Sequence, residues 1–166
     1  MDGDREAFTL WARQARGGLL RLAFLLTGDH HRAEDLVQEA LIKVAVRWRR
    51  LHAEHPAAYA RQVIVRDNIS WWRRHRREQV ASPEPPPSGT GEPGVDRRVV
   101  LARALDRLTP GQRAVVVLRY YHDLTERQTA DTMRVSIGTV KSQAHHALRR
   151  LREQAPELAE LLQEIP

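Results

Sequence analysis

The 166-residue sequence has no cysteine, only two lysines and no long hydrophobic run. Without cysteine there is no disulfide, no thiol nucleophile and no Cys-based zinc or iron–sulfur site, which fits a reducing compartment. No uncharged stretch approaches the roughly 20 apolar residues that a bilayer span needs. The N-terminus carries Asp2, Asp4 and Glu6 where a signal peptide has basic residues and then an apolar core. We therefore expect a cytoplasmic protein without membrane insertion.

Features that support catalysis are also lacking. The sequence shows no glycine-rich phosphate loop, no nucleophile elbow and no paired-carboxylate arrangement. Neighbouring histidines occur at His30-His31 and His145-His146, but adjacent helical residues point about 100° apart and do not readily chelate one metal ion. We expect a protein that is not an enzyme and that needs no cofactor or metal.

Basic residues are in excess. Lys+Arg number 27 and Asp+Glu number 21, which gives a formal net charge of +6 at pH 7. A basic surplus favours a polyanionic partner, with nucleic acid ahead of an anionic membrane surface.

A segment rich in proline and glycine divides the chain into two halves. Residues 80–95 read VASPEPPPSGTGEPGV, which has too little apolar surface to offset its ordering entropy and predicts an extended linker. Helix-period apolar residues on both sides predict an all-α protein with two small helical domains. The predicted boundaries are 1–79 for the first domain, 80–96 for the flexible linker, 97–154 for the second domain and 155–166 for an acidic tail.

Periodicity and capping signals predict the individual helices. In the first domain they lie over 4–14 and 19–27, with a weak point at Gly17-Gly18, and then over 31–50 and 57–79. In the second domain Thr109-Pro110 and the capping box Thr125–Gln128 mark two starts. The predicted helices there cover 97–108, 110–121, 126–133 and 137–154.

The strongest local signal is a helix-turn-helix over residues 124–150, LTERQTADTMRVSIGTVKSQAHHALRR. A short helix, a three-residue turn and a longer helix fit this motif, with small Ala130 where the helices cross. An ordinary helical hairpin would show a similar turn, but the basic stretch 141–152 favours binding in a DNA groove. The candidate DNA-binding residues are Arg127, Ser136, Thr139, Lys141, Ser142, Gln143, His145, His146 and Arg149.

A second signal is the arginine-rich segment 61–78, RQVIVRDNISWWRRHRRE. Arginines follow phosphates, and exposed aromatic rings stack on unpaired bases. The alternative is a solvated basic helix with Trp71 and Trp72 in the core, and for the tryptophans the residues alone leave both interpretations open. The acidic residues of segment 34–39, taken alone, predict only a solvated helix face.

Three segments in order resemble bacterial sigma factors, and more narrowly the small extracytoplasmic-function group that keeps only the second and fourth sigma domains. They are LLRLAFLLTGDHHRAEDLVQEALIKVAVRW, HPAAYARQVIVRDNISWWRRHRRE and LDRLTPGQRAVVVLRYYHDLTERQTADTMRVSIGTVKSQAHHALRRLR, within residues 8–152. The motifs SWWRR and AEDLVQEAL are most similar to the SigE-like members of actinobacteria.

The resemblance implies a role for each segment in transcription initiation. The acidic helix would bind the β′ clamp helices of core RNA polymerase through Asp35, Leu36, Gln38 and Glu39. The arginine-rich segment would recognise and open the −10 promoter element through Arg61, Arg66, Asn68, Ser70, Trp71, Arg73 and Arg74. Residues 97–121 would pack on the polymerase β flap, and the helix-turn-helix would read the −35 element. The linker would thread through the polymerase, and an anti-sigma factor is a common further partner in the family.

Three positions depart from the family pattern. Arg66 stands where Asn is usual, so either Arg66 or Asn68 would read the −10 base. Arg134 stands at a turn position that is usually Gly, where a left-handed conformation costs about 1 kcal/mol. Gln143 replaces the usual Arg after Lys-Ser, which removes one expected phosphate contact.

Two other function classes compete with the sigma-factor interpretation. An autonomous helix-turn-helix regulator would bind duplex operator DNA tightly without polymerase and would use the first domain as a sensor or oligomerisation unit. A nucleic-acid enzyme would need clustered carboxylates or a metal site, which the sequence does not show. We prefer the sigma-factor interpretation because it uses both basic segments.

Overall fold

A computed structural model describes residues 2–79 and 103–156, which form helices and no strand. The first unit contains α1 (Asp2–Thr27), α2 (His30–Val46), α3 (Trp48–Leu51) and α4 (Pro56–Gln79). The second unit contains α5 (Pro110–Val116), a π-helical turn (Val117–Tyr121), α6 (Glu126–Met133) and α7 (Ile137–Gln154). The all-α prediction is confirmed. The predicted linker, the start of the helix predicted over 97–108 and most of the acidic tail lie outside the described residues.

Helix α1 runs unbroken through Gly17-Gly18, where the sequence predicts a weak point. Leu22 and Leu26 in its second half are each 1 % exposed, and α1 packs along both α2 and α4. Burial of this apolar stripe offsets the roughly 1 kcal/mol that each glycine costs inside a helix. No helix among the described residues is long and apolar enough to cross a bilayer.

The helix predicted over 31–50 is interrupted at Arg47. Helix α2 ends at Val46 and the short α3 begins at Trp48. The change of direction packs the Trp48 ring against α1, with its centroid 5.4 Å from that of Phe8 and 5.5 Å from that of Trp11. A buried aromatic cluster therefore replaces a straight continuation of α2.

Side-chain caps start the helices of the second unit, as the sequence predicts. The Thr109 hydroxyl accepts from the backbone N–H of Gln112 at 3.2 Å, and the Thr125 hydroxyl accepts from that of Gln128 at 3.1 Å. Both glutamine side chains return a hydrogen bond, which completes two capping boxes. Arg134, between α6 and α7, adopts φ +55°, the left-handed conformation expected of the turn.

The two units pack against each other. Buried Arg113 of α5 donates to the backbone carbonyl of Leu25 at the end of α1. Gln62 of α4 donates to the backbone carbonyl of Asp131 on α6, with 3.3 Å between nitrogen and oxygen. One apolar core runs through both units. The sequence predicts two domains joined only by a tether, and this direct packing is not part of that prediction.

Replacing Arg134 by glycine should stabilise the turn. We expect Arg134→Gly to raise the free energy of unfolding by about 0.5–1 kcal/mol, because glycine enters the left-handed region without a Cβ clash. Urea denaturation followed by far-UV circular dichroism measures the change. Arg134→Ala is the control, because it removes the long side chain and keeps the Cβ. Equal stability of the glycine and alanine variants would contradict the expected strain.

Candidate nucleic-acid and partner interfaces

The predicted polymerase-binding residues lie on α2, and all but one face solvent. Asp35, Gln38 and Glu39 are exposed. Leu36 is 7 % exposed and belongs to the buried stripe that holds α2 against α1 and α4. The expectation that Leu36 contacts a partner directly stays a prediction, since its side chain packs mostly in the core.

Two apolar side chains that were not predicted extend this exposed face. Ile42 is 56 % exposed and Val46 is 82 % exposed. Ile42 follows Gln38 by four positions and Val46 follows Ile42 by four, which places them along one side of the helix. A face that combines acidic, amide and apolar groups suits contact with a protein partner better than exposure to water alone. The available sequence signal was that both residues fall outside the buried stripe of α2.

Asn68 lies inside the first unit. It is 1 % exposed, its Oδ1 accepts from Arg32 Nη2 at 3.0 Å, and its Nδ2 donates to the Leu26 carbonyl at 3.4 Å. The amide thus joins α4 to α1 and α2. The expected contact between Asn68 and a −10 base stays a prediction, and partly exposed Arg66 is the more accessible residue of the two.

Trp71 is the middle layer of a three-layer stack. Arg32 Cζ lies 3.1 Å from the centroid of the Trp71 ring, and the His75 ring lies 3.6 Å from it at an interplanar angle of 20°. Two groups this close to one ring cannot share a face, so they cover opposite faces of the indole. A base can stack on Trp71 only after Arg32 or His75 moves. Trp72, which is absent from the predicted set, is partly exposed and meets Trp71 edge-on, with centroids 5.0 Å apart.

Arg32 joins the two faces of the first unit electrostatically. Burial lowers the pKa of Arg32 to about 10, helped by nearby Arg74 and opposed by Asp29 and Asp35. The guanidinium is still charged at neutral pH, so the cation–π attraction to Trp71 operates. Because Arg32 belongs to α2, the acidic face of α2 and the arginine-rich part of α4 are held in one geometry.

A groove of about 750 Å³ runs between α2 and α4. Lys43 and Asp67 both line this groove and form an ion pair, with 2.6 Å between Lys43 Nζ and Asp67 Oδ2. Of the predicted −10 residues, Ser70, Arg73 and Arg74 are exposed, whereas Arg61, Arg66 and Trp71 are partly covered. Exposed Arg76 and Arg77 add positive charge to the same end of α4. This surface suits a nucleic-acid backbone.

Helix α7 presents a polar face to solvent and an apolar face to α5 and α6. Val140, Ala147 and Leu151 are buried there. Lys141 Nζ lies 3.7 Å from a Glu126 carboxylate oxygen, which partly offsets its charge. The exposed predicted residues are Arg127, Ser136, Thr139, Lys141, Ser142, His145, His146 and Arg149. Such a face on the second helix of this motif can enter a major groove.

Two predicted residues of this motif have structural roles. The Ser136 hydroxyl accepts from the Thr139 backbone N–H at 3.0 Å and caps α7. Gln143 is partly buried, and its Nε2 lies 3.5 Å from the position that a side chain on Gly111 would occupy. The expected DNA contact of Gln143 stays a prediction, because the side chain is only partly buried on the side of α7 that faces α5.

Known proteins match both units. The family profile Sigma-70 region 2 matches residues 11–78, and Sigma-70, region 4 matches residues 104–153. RNA polymerase sigma-E factor of Streptomyces coelicolor is 38 % identical over 156 residues, covering 92 % of this chain and 88 % of that protein. ECF RNA polymerase sigma factor SigL of Mycobacterium tuberculosis is 32 % identical over 169 residues, covering 93 % and 87 %.

A solved structure has the same fold. The sigma factor RpoE, in complex with the anti-sigma factor NepR from Bartonella quintana, matches with a TM-score of 0.70 at 24 % identity, covering 89 % of this chain and 95 % of that chain. The two profile matches correspond to the two helical units, and the α2, α4 and α7 faces lie within them. The chain therefore belongs to the sigma-70 family of RNA polymerase sigma factors, in its extracytoplasmic-function group.

Proposed function

We propose that the chain binds core RNA polymerase through α2, recognises −10 DNA through α4 and reads −35 DNA through α7. The observation that carries this proposal is that one short chain exposes three chemically different faces: acidic and apolar, arginine-rich, and polar with helix-turn-helix geometry. An autonomous regulator would need only the last face. The chain would hold the opened promoter by binding, with no covalent step, and would act in the cytoplasm, where polymerase and promoter DNA are found.

The polymerase contact is assigned to the exposed side of α2. Ile42 and Val46 supply apolar area, and Asp35, Gln38 and Glu39 supply a polar surround. An apolar centre with a polar rim is the usual composition of a protein interface. The family resemblance implies that the partner is the β′ clamp helices.

The −10 contact is assigned to the second half of α4. Arg73 and Arg74 would follow the phosphates of the separated strand, and an unpaired base would stack on partly exposed Trp72. Taking a base out of the stack costs a few kcal/mol. Stacking on a ring returns about 1–3 kcal/mol per base, and the phosphate contacts add to it.

The −35 contact is assigned to α7. Thr139, Ser142 and His146 present short hydrogen-bonding groups, and Lys141 and Arg149 present phosphate-binding charge. Each domain alone binds weakly, and tethering through the linker raises the effective concentration of the second contact. Because RpoE is bound by an anti-sigma factor, we propose a partner of the same class for this chain.

Removing polar groups from α2 should weaken polymerase binding. We expect Asp35→Ala/Gln38→Ala to bind purified core polymerase about tenfold or more weakly, the loss typical of a well-packed interface residue pair. Fluorescence anisotropy of the labelled chain measures it. The control Glu6→Ala/Gln14→Ala removes an acid and an amide from exposed positions on α1 and should bind like the wild type. Unchanged binding of the α2 variant would contradict the assigned face.

Substitutions at Arg66 and Asn68 should distinguish a residue that contacts DNA from one that supports the fold. Arg66→Ala should reduce promoter opening while changing the free energy of unfolding by less than about 0.5 kcal/mol. Asn68→Ala should lower the free energy of unfolding by about 1–3 kcal/mol, because the Leu26 carbonyl and Arg32 Nη2 each lose the hydrogen bond that Asn68 makes to them. Permanganate footprinting and urea denaturation measure the two effects. Wild-type stability of Asn68→Ala together with lost promoter opening would reverse the assignment.

Lys141 and Gln143 form a matched pair on α7. Lys141→Ala should reduce the slope of log K against log salt by about 0.9, the contribution of one phosphate contact. Gln143→Ala should leave the affinity at each salt concentration unchanged, because the amide lies beside Gly111. Promoter binding by the holoenzyme over a series of salt concentrations measures both slopes. A loss of promoter affinity in Gln143→Ala as large as that in Lys141→Ala would place Gln143 at the DNA and contradict the structural assignment.

A further inference from the structure

The second half of α4 carries an aromatic face, on Trp71, that a neighbouring side chain already covers. We propose that the His75 ring occupies a stacking site for an unpaired DNA base and has to rotate away from Trp71 before that base can bind. His75 is then a gate on the capture of a separated strand. This inference rests on the proposed function, and it adds a residue that is absent from the predicted −10 set.

The geometry of the stack is that of a planar ring on an aromatic platform. His75 follows Trp71 by four positions, which places both side chains on one side of α4. Their ring centroids are 3.6 Å apart and the interplanar angle is 20°, close to the spacing of about 3.4 Å between stacked bases in DNA. Imidazole is also the five-membered ring of a purine. This face of Trp71 therefore already accepts, at stacking distance, a ring of the kind that a base presents.

The opposite face of Trp71 is covered by a group that is held firmly. Arg32 Nη2 donates to Asn68 Oδ1 at 3.0 Å, and Asn68 is 1 % exposed. Moving Arg32 would leave a buried amide oxygen without its donor, which carries the full desolvation cost of that oxygen. The charges of Asp29 and Asp35 also stabilise the protonated form of Arg32 at its present position. A base therefore does not displace Arg32.

His75 is held less firmly than Arg32. Its Nδ1 atom is buried and has no hydrogen-bond partner among the described residues. Rotation of the ring away from the indole breaks no hydrogen bond at this nitrogen and lets water reach it, which removes the cost of an unsatisfied buried group. Of the two groups that cover Trp71, His75 is therefore the one that a base displaces.

The arginines around the stack bring a single strand to this platform. Trp71 lines the groove between α2 and α4 together with Arg73, Arg74 and Arg77. A strand whose phosphates contact these arginines passes beside the indole, so a base turned out of the strand can reach it. A purine has two fused rings and covers more of the indole than imidazole does. Exchange of His75 for a purine therefore favours the bound strand.

Only an unpaired base can use this site. In a duplex both faces of a base are stacked on its neighbours, and the base has to leave the helix before it can stack on an indole. Because the His75 ring covers Trp71 in the free chain, the arriving base competes with it. The gate thus lowers the affinity of the chain for unpaired strands, which favours promoters whose strands separate easily.

Removal of the gate should give a gain of binding. We expect His75→Ala, assembled with core polymerase, to bind a short single strand about threefold to tenfold more tightly, because a stacked aromatic pair no longer competes. The strand carries the −10 sequence of a promoter that the holoenzyme transcribes, with 2-aminopurine in place of one base at a time. Quenching of its fluorescence reports stacking. Alanine is the strongest helix former, so the exchange preserves α4.

Matched controls isolate the stacking site. His75→Phe keeps a flat ring on Trp71 and should show no gain. His31→Ala removes an exposed histidine at the start of α2 and should bind like the wild type. In a Trp71→Leu background, His75→Ala should give no gain, because the platform is absent. A strand with an abasic site in place of the stacked base should bind the wild type and His75→Ala equally.

Each outcome decides one claim. Equal or weaker binding of His75→Ala overturns the gate, and so does a gain in His75→Phe as large as that in His75→Ala. A gain that persists with the abasic strand or without the Trp71 ring also overturns it. If the wild-type holoenzyme gives no promoter-specific transcripts and binds no −10 strand, the proposed function fails instead. Strand binding by the wild type with unchanged variants leaves that function intact and overturns only the gate.

Discussion

The hydrogen bond from Arg32 to buried Asn68 holds the two functional faces of the first unit in one geometry. Asn68 also binds the Leu26 carbonyl, so three helices meet at one amide. The same guanidinium covers one face of Trp71. Under the proposed function, a polymerase bound to α2 therefore fixes where the arginines of α4 meet DNA. Opening a promoter by binding depends on this kind of preorganised surface.

Packing between the two units is a second constraint on the molecule. A shared apolar core and the buried Arg113 hold the units together, whereas the proposed −10 and −35 contacts lie on different units. The interface buries a charge, and returning that charge to water lowers the cost of separating the units. Asp35, Gln38 and Glu39 on α2 are exposed in this packed arrangement.

Sequence patterns of a few neighbouring residues predicted the caps, turns and polar faces that those residues determine by themselves. The N-cap at Thr109, the capping box at Thr125, the left-handed turn at Arg134 and the polar face of α7 all follow from short-range patterns. Features that depend on packing between distant segments were not predicted. The burial of Asn68 depends on α1 and α2, and the inward turn of Gln143 depends on α5.

Packing between helices also explains what the sequence left unpredicted. Helix α1 continues through its two glycines because α2 and α4 support it, and Arg47 ends α2 so that Trp48 can join the aromatic cluster. Contact between the two units leaves no short-range signature at all. The exposed pair Ile42 and Val46 was detectable in principle, because apolar residues outside a buried stripe indicate a binding face.

The most direct test of the sigma-factor function is transcription from a library of genomic DNA fragments by actinobacterial core RNA polymerase, with and without the chain, followed by sequencing of transcript 5′ ends. A sigma factor adds start sites that share a two-part upstream motif near −35 and −10 and that core polymerase alone does not use. No new start sites, together with tight binding of the chain alone to a duplex operator, would contradict this function and identify an autonomous regulator.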